Sequence, residues 1–282
     1  MEKQALMEKP QPVLVADLFP EILNSLLALL RGLEPAEWER PTAAADWTVK
    51  DVAVHLLGDD VGILSRRRDR YREPSPSLET WDELVAWLNA RNEEWVRVNR
   101  RISPPLLCDL LQVTGEQASA FFRSLDPFVL GGAVSWAGPD PAPVWLDMAR
   151  EFTERWHHQQ HIRDAVGRPG LTEARHLGPV LATFVHALPR TFASVRAQEG
   201  TCATLRIVGP AGGAWTVVRE GERWLLYRGV PPRPDAVVEL PEDAAWRLFT
   251  KGLTPENARG RAVLRGESVL GGKLLETISI IA

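Results

Sequence analysis

Cysteine is scarce in this sequence of 282 residues, and its two copies, Cys108 and Cys202, stand far apart. They form no C-x-x-C pair and lack the spacing of a cysteine metal site. This excludes a cysteine-based redox or metal motif. We expect both to be reduced, structural thiols, as is usual in cytoplasmic proteins.

Long apolar runs and an excess of positive charge are also missing. The apolar runs fall well short of the roughly 18 residues that a membrane-spanning helix needs. The net charge is −4 and the isoelectric point is near 5.9, which argues against a nucleic acid or an anionic membrane as a partner. The amino-terminal residues are charged and lack the apolar core of a signal peptide. We therefore expect a cytoplasmic protein.

Helical periodicity dominates the first 170 residues. Apolar residues recur three or four apart in five segments, which predict helices over residues 13–32, 49–63, 77–101, 106–125 and 143–166. Thr48 and Asp51 are placed to cap the second helix. The segment 106–125 is predicted as two pieces because Gly115 interrupts it, and residues 126–143 are predicted as a loop. The other four segments are the principal amphipathic helices, and they predict a helix bundle over residues 1–170.

The apolar period changes from about 3.6 to two after residue 200. Alternating segments predict four strands, over residues 201–208, 214–220, 223–228 and 236–240. Helices are predicted over residues 177–198, 241–251, 254–259 and 269–280. We therefore predict a two-domain protein of the α plus α/β type, with a boundary near residue 170. The second domain, residues 171–282, would be an α+β domain with an antiparallel sheet of about four strands.

The segment 149–169 carries three of the six histidines of the chain, together with Glu151 and Glu154. Residues four apart share a helix face, so Glu154 and His158 can reach one cation. His157 and His161 form a second pair at the same spacing, and Glu151 is an alternative carboxylate. The spacing alone leaves these sets open. Two arginines beside them, Arg155 and Arg163, are predicted to lie in surface ion pairs.

A possible third ligand lies on the second helix, where Asp51, His55 and Asp59 form a row at four-residue spacing. A bundle that brings this face against Glu154 and His158 would offer one cation two histidines and a carboxylate. Such a set, with one position left open, suits a catalytic divalent ion such as Zn²⁺.

Two motifs resemble those of the mycothiol-dependent maleylpyruvate isomerase family, which belongs to the DinB-like metal-binding four-helix bundles. The first has the form W-[ST]-x-x-D-x-x-x-H, and the second is E-x-x-x-H followed by G-x-P. The matching residues are Trp47, Thr48, Asp51, His55, Glu154, His158, Gly167 and Pro169. The resemblance implies that the metal ligands are His55, Glu154 and His158. It also implies that residues 171–282 form a domain similar to sterol carrier proteins.

The resemblance further implies a divalent metal, with Zn²⁺ expected, and a low-molecular-weight thiol, with mycothiol expected. A thiol bound to Zn²⁺ loses its proton near neutral pH, because the cation stabilises the thiolate. The thiolate can add to an electron-poor double bond, giving an isomerase, or displace a leaving group, giving a transferase. The protein then needs no nucleophile of its own, and the sequence has no G-x-S-x-G motif.

Two other functions remain open on the same sequence. The bundle could be a metal-dependent hydrolase that activates water instead of a thiol. Alternatively, the protein could be non-enzymatic and bind a small molecule or lipid in its second domain, near Trp215, Trp224 and Trp246. The expected partners are a small-molecule substrate and the thiol, and both a monomer and a homodimer are compatible with the sequence.

Overall fold

A computed structural model describes residues 7–44, 46–74 and 76–280 of the chain. The contacts between Cα atoms divide these residues into two compact units. The bundle unit comprises residues 15–127 and 151–171, and the sheet unit comprises residues 7–14, 128–150 and 172–280. Within the described ranges, no helix is long and apolar enough to cross a membrane. The domain boundary near residue 170 stays a prediction, and residues 128–150 also fall in the sheet unit.

Five helices supply the bundle unit, and the last of them begins in the sheet unit. Their bounds are α1 (Phe19–Arg31), α2 (Val49–Ile63), α3 (Trp81–Asn99), α4 (Pro104–Ser124) and α5 (Val144–Val166). The predicted cap of α2 is confirmed: the Thr48 side chain accepts a hydrogen bond from the backbone N–H of Asp51, and the Asp51 carboxylate accepts one from that of Thr48. Two otherwise unpaired amides are satisfied in this way, which fixes where α2 begins.

The core of the bundle unit lies between α1, α2, α4 and α5. Helix α4 packs against both α1 and α2, and the buried residues include Leu30, Leu56, Leu111 and Ile162. The predicted interruption at Gly115 is wrong, because α4 is continuous. Gly115 instead lets α1 approach closely: a Cβ atom at this position would lie 2.6 Å from the Leu23 Cδ1 atom.

Helix α3 lies at the margin of this core, although the sequence predicted a broad apolar side for it. Val96 is its one buried residue, and Val98 is 41% exposed. Trp95 attaches α3 to α2 by donating a hydrogen bond from its indole N–H to the Val54 carbonyl at 2.8 Å. The fourth helix of the bundle core is therefore α4 rather than α3.

The sheet unit holds two sheets and five short helices. The strands are β1 (Leu130–Ala133), β2 (Pro141–Pro143), β3 (Cys202–Val208), β4 (Gly213–Glu220), β5 (Arg223–Arg228), β6 (Ala236–Pro241) and β7 (Val263–Gly266). The helices are α6 (Ala174–Phe184), α7 (Leu188–Thr191), α8 (Glu242–Phe249), α9 (Pro255–Arg259) and α10 (Ser268–Leu274). Strands β1 and β2 form a hairpin inside the segment that the sequence predicted as a loop.

The main sheet has five strands in the order β5-β4-β3-β6-β7. All four predicted strands are present, so the predicted two-part organisation, a helix bundle followed by an α+β part, is confirmed. Two details differ from the prediction. Strand β7 is additional; it is short and largely exposed, so it has little apolar alternation to detect. Strand β6 pairs with β3 in parallel, because the chain crosses over after β5 instead of turning back.

The helix predicted over residues 177–198 is broken in the structure. Helix α6 ends at Phe184, a short 3₁₀ turn follows, and α7 starts at Leu188. Pro189 has no backbone N–H to continue an α-helical hydrogen-bond pattern, which accounts for the break. Trp215, Trp224 and Trp246 are all buried, so these three side chains fill the core of the sheet unit.

Candidate metal centre

The three side chains that the sequence selected lie together inside the bundle unit. His158 Nε2 is 3.0 Å from Glu154 Oε1, and His55 Nε2 is 3.7 Å from the same oxygen. One donor atom from each residue lies within 4.8 Å of the other two. The side chains of His55 and His158 are only 5% and 11% exposed, whereas that of Glu154 is 32% exposed. The cluster is therefore largely buried but open to solvent on one side.

Two helices position these donors. Helix α2 is buried on nearly all sides from Asp51 to Leu57, and His55 lies within this buried stretch, next to Leu56. Glu154 and His158 are one turn apart on α5, so their side chains share a face. The indole ring of Trp47 lies against the ring of His55, at 4.9 Å between centroids. Glu93 holds that indole by accepting a hydrogen bond from its N–H at 2.9 Å.

The charges around the cluster are strongly coupled. Burial by itself would lower the pKa of His55, but the carboxylates of Asp59 and Glu154 outweigh burial and raise it. Burial would raise the pKa of Glu154, yet its contacts with His158 and His55 hold that pKa well below the ordinary value. The centre of the cluster therefore favours a positive charge, whether a proton on histidine or a cation.

Asp59 is a carboxylate beside the cluster to which the sequence assigned no role. Its Oδ2 atom is 3.5 Å from His55 Nε2. Burial raises the pKa of Asp59, and this effect outweighs the attraction of His55. The signal was present in the sequence, since Asp59 follows His55 by one helical turn.

Arg155 corrects the prediction of surface ion pairs. Its side chain is only 12% exposed, and it donates hydrogen bonds to Asp60 Oδ1 and to Glu151 Oε2, each at 2.8 Å. Asp60 also accepts a hydrogen bond from Thr114. The two carboxylates outweigh the effect of burial and raise the pKa of Arg155 above its ordinary value. This ion-paired cluster joins α2 to α5 directly behind the candidate metal ligands.

The prediction for Arg163 was also wrong, because this side chain hydrogen-bonds to neutral groups. Its guanidinium donates to Gln159 Oε1, to Ser25 Oγ and to the Pro169 carbonyl. Burial lowers its pKa. Arg163 thus ties α5 to α1 and to the segment after α5.

The alternative ligand sets do not converge in the same way. Glu151 is paired with Arg155, and Asp51 is paired with Arg100 at 2.8 Å besides capping α2. His157 and His161 contact each other edge to face, with 4.1 Å between ring centroids. Among the residues that the structure describes, His55, Glu154 and His158 form the one such group of three metal-ligating side chains.

A family model matches the part of the chain that carries these three residues. The sequence model of the mycothiol maleylpyruvate isomerase N-terminal domain matches residues 19–163, which is about half of the chain. The chain belongs to the mycothiol maleylpyruvate isomerase family. All three candidate ligands of this family member lie inside the matched segment. A comparison with curated proteins finds no significant match.

Two solved structures are similar to this family member. Both are crystal structures of the mycothiol-dependent maleylpyruvate isomerase, and one of them is a mutant. Each is 13% identical to the chain, and the alignment covers 83% of this chain and 86% of that chain. The TM-score is 0.50 for the mutant and 0.45 for the other structure. At this identity the likeness to the mutant structure concerns the fold alone.

The donor set of this maleylpyruvate isomerase family member fits a divalent metal ion. Ligand bonds of about 2.1 Å in tetrahedral geometry put neighbouring donors about 3.4 Å apart. The observed separations of 3.0 Å and 3.7 Å lie on either side of that value. Within the described part of the chain, the buried Oδ2 atom of Asp59, beside this set, has no hydrogen-bond partner. Two neutral imidazoles and a carboxylate are the ligand types that Zn²⁺ prefers, together with other borderline cations.

Neither cysteine of this family member is an activated nucleophile. Cys108 and Cys202 are both buried and free, as predicted. Burial raises the pKa of each thiol, so little thiolate forms near neutral pH. A reaction that uses a thiolate would have to take the thiol from a separate molecule.

Proposed function

We propose that this protein is a metal-dependent enzyme that uses a low-molecular-weight thiol, of the mycothiol type, to attack an electrophilic small molecule. The reaction would be an isomerisation of a maleylpyruvate-like compound or a thiol transfer. The observation that carries this proposal is the convergence of His55, Glu154 and His158 within 4.8 Å of one another. Membership of the family supports it.

In this proposal each residue has a limited task. His55 and His158 would hold the cation through their Nε2 atoms, and Glu154 would add the negative charge that a divalent cation needs. A divalent metal, expected to be Zn²⁺, supplies stabilisation of a thiolate near neutral pH. Trp47, held by Glu93, walls off one side of His55 and limits the access of water there.

The thiol is assigned to a separate molecule because neither of the two cysteines of the chain is a suitable nucleophile. The raised pKa values of Cys108 and Cys202 argue against their use. A small thiol also fits a site whose carboxylate, Glu154, is the most exposed of the three ligands. We also propose a cytoplasmic location, because low-molecular-weight thiols stay reduced in the cytoplasm.

Metal content and thiol dependence can be tested on one preparation of the protein. We expect one divalent metal ion per chain, measured by elemental analysis, and loss of that ion in His55→Ala and in His158→Ala. His176→Ala, a change in the sheet unit, is the matched control and should keep the metal. Turnover of electron-poor alkenes should then require both the metal and added thiol.

The outcomes distinguish the candidate functions. A pure protein that contains no metal and binds neither Zn²⁺ nor Ni²⁺ would reject the proposal. Metal-dependent turnover that proceeds equally well without any thiol would indicate a hydrolase on the same bundle.

A further inference from the structure

Among the described residues of the bundle interior, Asp59 is a carboxylate outside the proposed ligand set that neither a helix cap nor an arginine accounts for. Its Oδ2 atom faces His55 Nε2 at 3.5 Å. The same nitrogen faces Glu154 Oε1 at 3.7 Å. Asp59 therefore lies on the side of the His55 ring from which a cation would be bound, rather than beside the other ring nitrogen.

The environment of Asp59 leaves its charge poorly compensated. Its side chain is 23% exposed, but its Oδ2 atom is buried from solvent and has no hydrogen-bond partner in the described part of the chain. Arg155, the nearby guanidinium, is already paired with Asp60 and Glu151. A buried carboxylate oxygen without a donor destabilises the folded state unless a cation compensates it. A protonated His55 can compensate only one of the two carboxylates that face it, Asp59 and Glu154, whereas a bound divalent cation could compensate both.

We propose that Asp59 belongs to the metal centre as its second carboxylate. The inference rests on the proposed metal site at His55, Glu154 and His158. Two carboxylates and two neutral imidazoles carry a charge of −2, which balances a divalent cation, whereas the three-residue set leaves one positive charge. Asp59 would therefore raise the affinity of the site for divalent metal ions, and oxygen donors would favour Zn²⁺, Fe²⁺ or Mn²⁺ over softer cations.

Asp59→Asn tests the proposal, because asparagine keeps the shape of the side chain and removes the charge. We expect the dissociation constant for Zn²⁺ to rise at least about tenfold, the range typical for losing a supporting group of a metal site. Competition with a chromophoric chelator measures this constant on the full chain. Asp109→Asn, which removes an exposed carboxylate from α4, is the matched control and should bind Zn²⁺ as tightly as the wild type.

Two further measurements distinguish a metal-site role from a structural one. The metal-free Asp59→Asn protein should unfold at the same temperature as the metal-free wild type or higher, because the variant loses a poorly compensated buried charge. The Co²⁺-loaded variant should differ from the wild type in its visible absorption, which reports the donors around the ion. A lower unfolding temperature of the metal-free variant, with an unchanged cobalt spectrum, would overturn the proposal.

The zinc titration also separates this inference from the proposed function. A wild type that binds one Zn²⁺ per chain while Asp59→Asn binds it equally well overturns the role of Asp59 alone. A wild type that binds no divalent metal overturns the metal site, and the role of Asp59 with it.

Discussion

The charged side chains at the centre of the bundle fall into two groups with different partners. Asp60 and Arg155 compensate each other, at 2.8 Å between Oδ1 and the guanidinium. Asp59 and Glu154, each one position earlier in the chain, face the histidines instead. The permanently charged Arg155 thus neutralises Asp60 and Glu151, whereas Asp59 and Glu154 are left for a proton or a cation. This separation explains how four carboxylates can lie close together within one helix bundle.

Arg155→Met tests the structural half of this arrangement. The variant would leave Asp60 and Glu151 buried without their counter-ion, and breaking a buried ion pair on one side costs about 3–5 kcal/mol. Unfolding in urea, monitored by tryptophan fluorescence, should show a loss of this size in the free energy of unfolding. Arg123→Met is the control, since Arg123 and its partner Asp17 are both exposed and such a pair contributes about 0–1 kcal/mol. Equal losses in the two variants would contradict the assignment.

The sequence indicated which candidate ligands lie together, but it did not indicate the groups behind them. Helical spacing indicated which residues of α5 share a face, and the family motif selected Glu154 and His158 among them. Spacing does not reveal how deeply a face is buried, so Arg155 was predicted to be at the surface. Asp60 was the available signal, because it follows Leu56 by one turn and interrupts the apolar stripe of α2.

The close approach of α3 to α2 depends on a glycine next to the candidate metal centre. Gly58 lies on α2 between His55 and Asp59, where Trp95 of α3 packs closely. A Cβ atom on Gly58 would lie 2.6 Å from the Trp95 Nε1 atom. This nitrogen donates a hydrogen bond to the Val54 carbonyl, so the ring could move aside only by losing that bond. Glycine at this position therefore allows α3 to cover the stretch of α2 that carries the candidate ligands.

Two substitutions in the same helix should consequently have opposite effects. Gly58→Ala should destabilise the protein by about 1–3 kcal/mol, as overpacking usually does. Gly62→Ala should be neutral or stabilise by up to about 1 kcal/mol, because alanine favours the helix and its Cβ would meet only the flexible end of Arg66, at 3.2 Å. Urea unfolding of both variants measures the change in the free energy of unfolding and its sign. A stabilised Gly58→Ala protein would show that Trp95 yields easily.

Element boundaries were predictable where side chains determine them. The capping residues Thr48 and Asp51 marked the start of α2 in the sequence and in the structure. Glycine was ambiguous, since Gly115 allows a close helix contact within the continuous α4 instead of ending it. Strand pairing was harder, because a period of two predicts a strand but not its neighbour. The parallel pairing of β3 with β6 depends on a crossover that local patterns do not encode.

At the scale of the whole molecule, the candidate ligands are confined to one of the two compact units. His55, Asp59, Glu154 and His158 all belong to the bundle unit. Their positions are separated by about 100 residues in sequence, so a bound cation would link two distant segments of that unit. A ligand that binds only the folded state stabilises it by about 2.7 kcal/mol at a concentration of 100 times its dissociation constant. The bound ion should raise the free energy of any local unfolding that disrupts the site by the same amount.

Hydrogen–deuterium exchange with and without Zn²⁺ can locate this stabilisation. We expect added Zn²⁺ to slow amide exchange in α2 and in residues 151–166 of α5, because any local opening there separates the ligands. Exchange in β3, β4 and β6 should slow less, since openings of the sheet that leave the bundle folded keep the ligands together. His158→Ala is the control and should show no effect of Zn²⁺ in either unit. Equal protection of the sheet would mean that the two units open together, and protection of the sheet alone would place the bound metal outside the bundle unit.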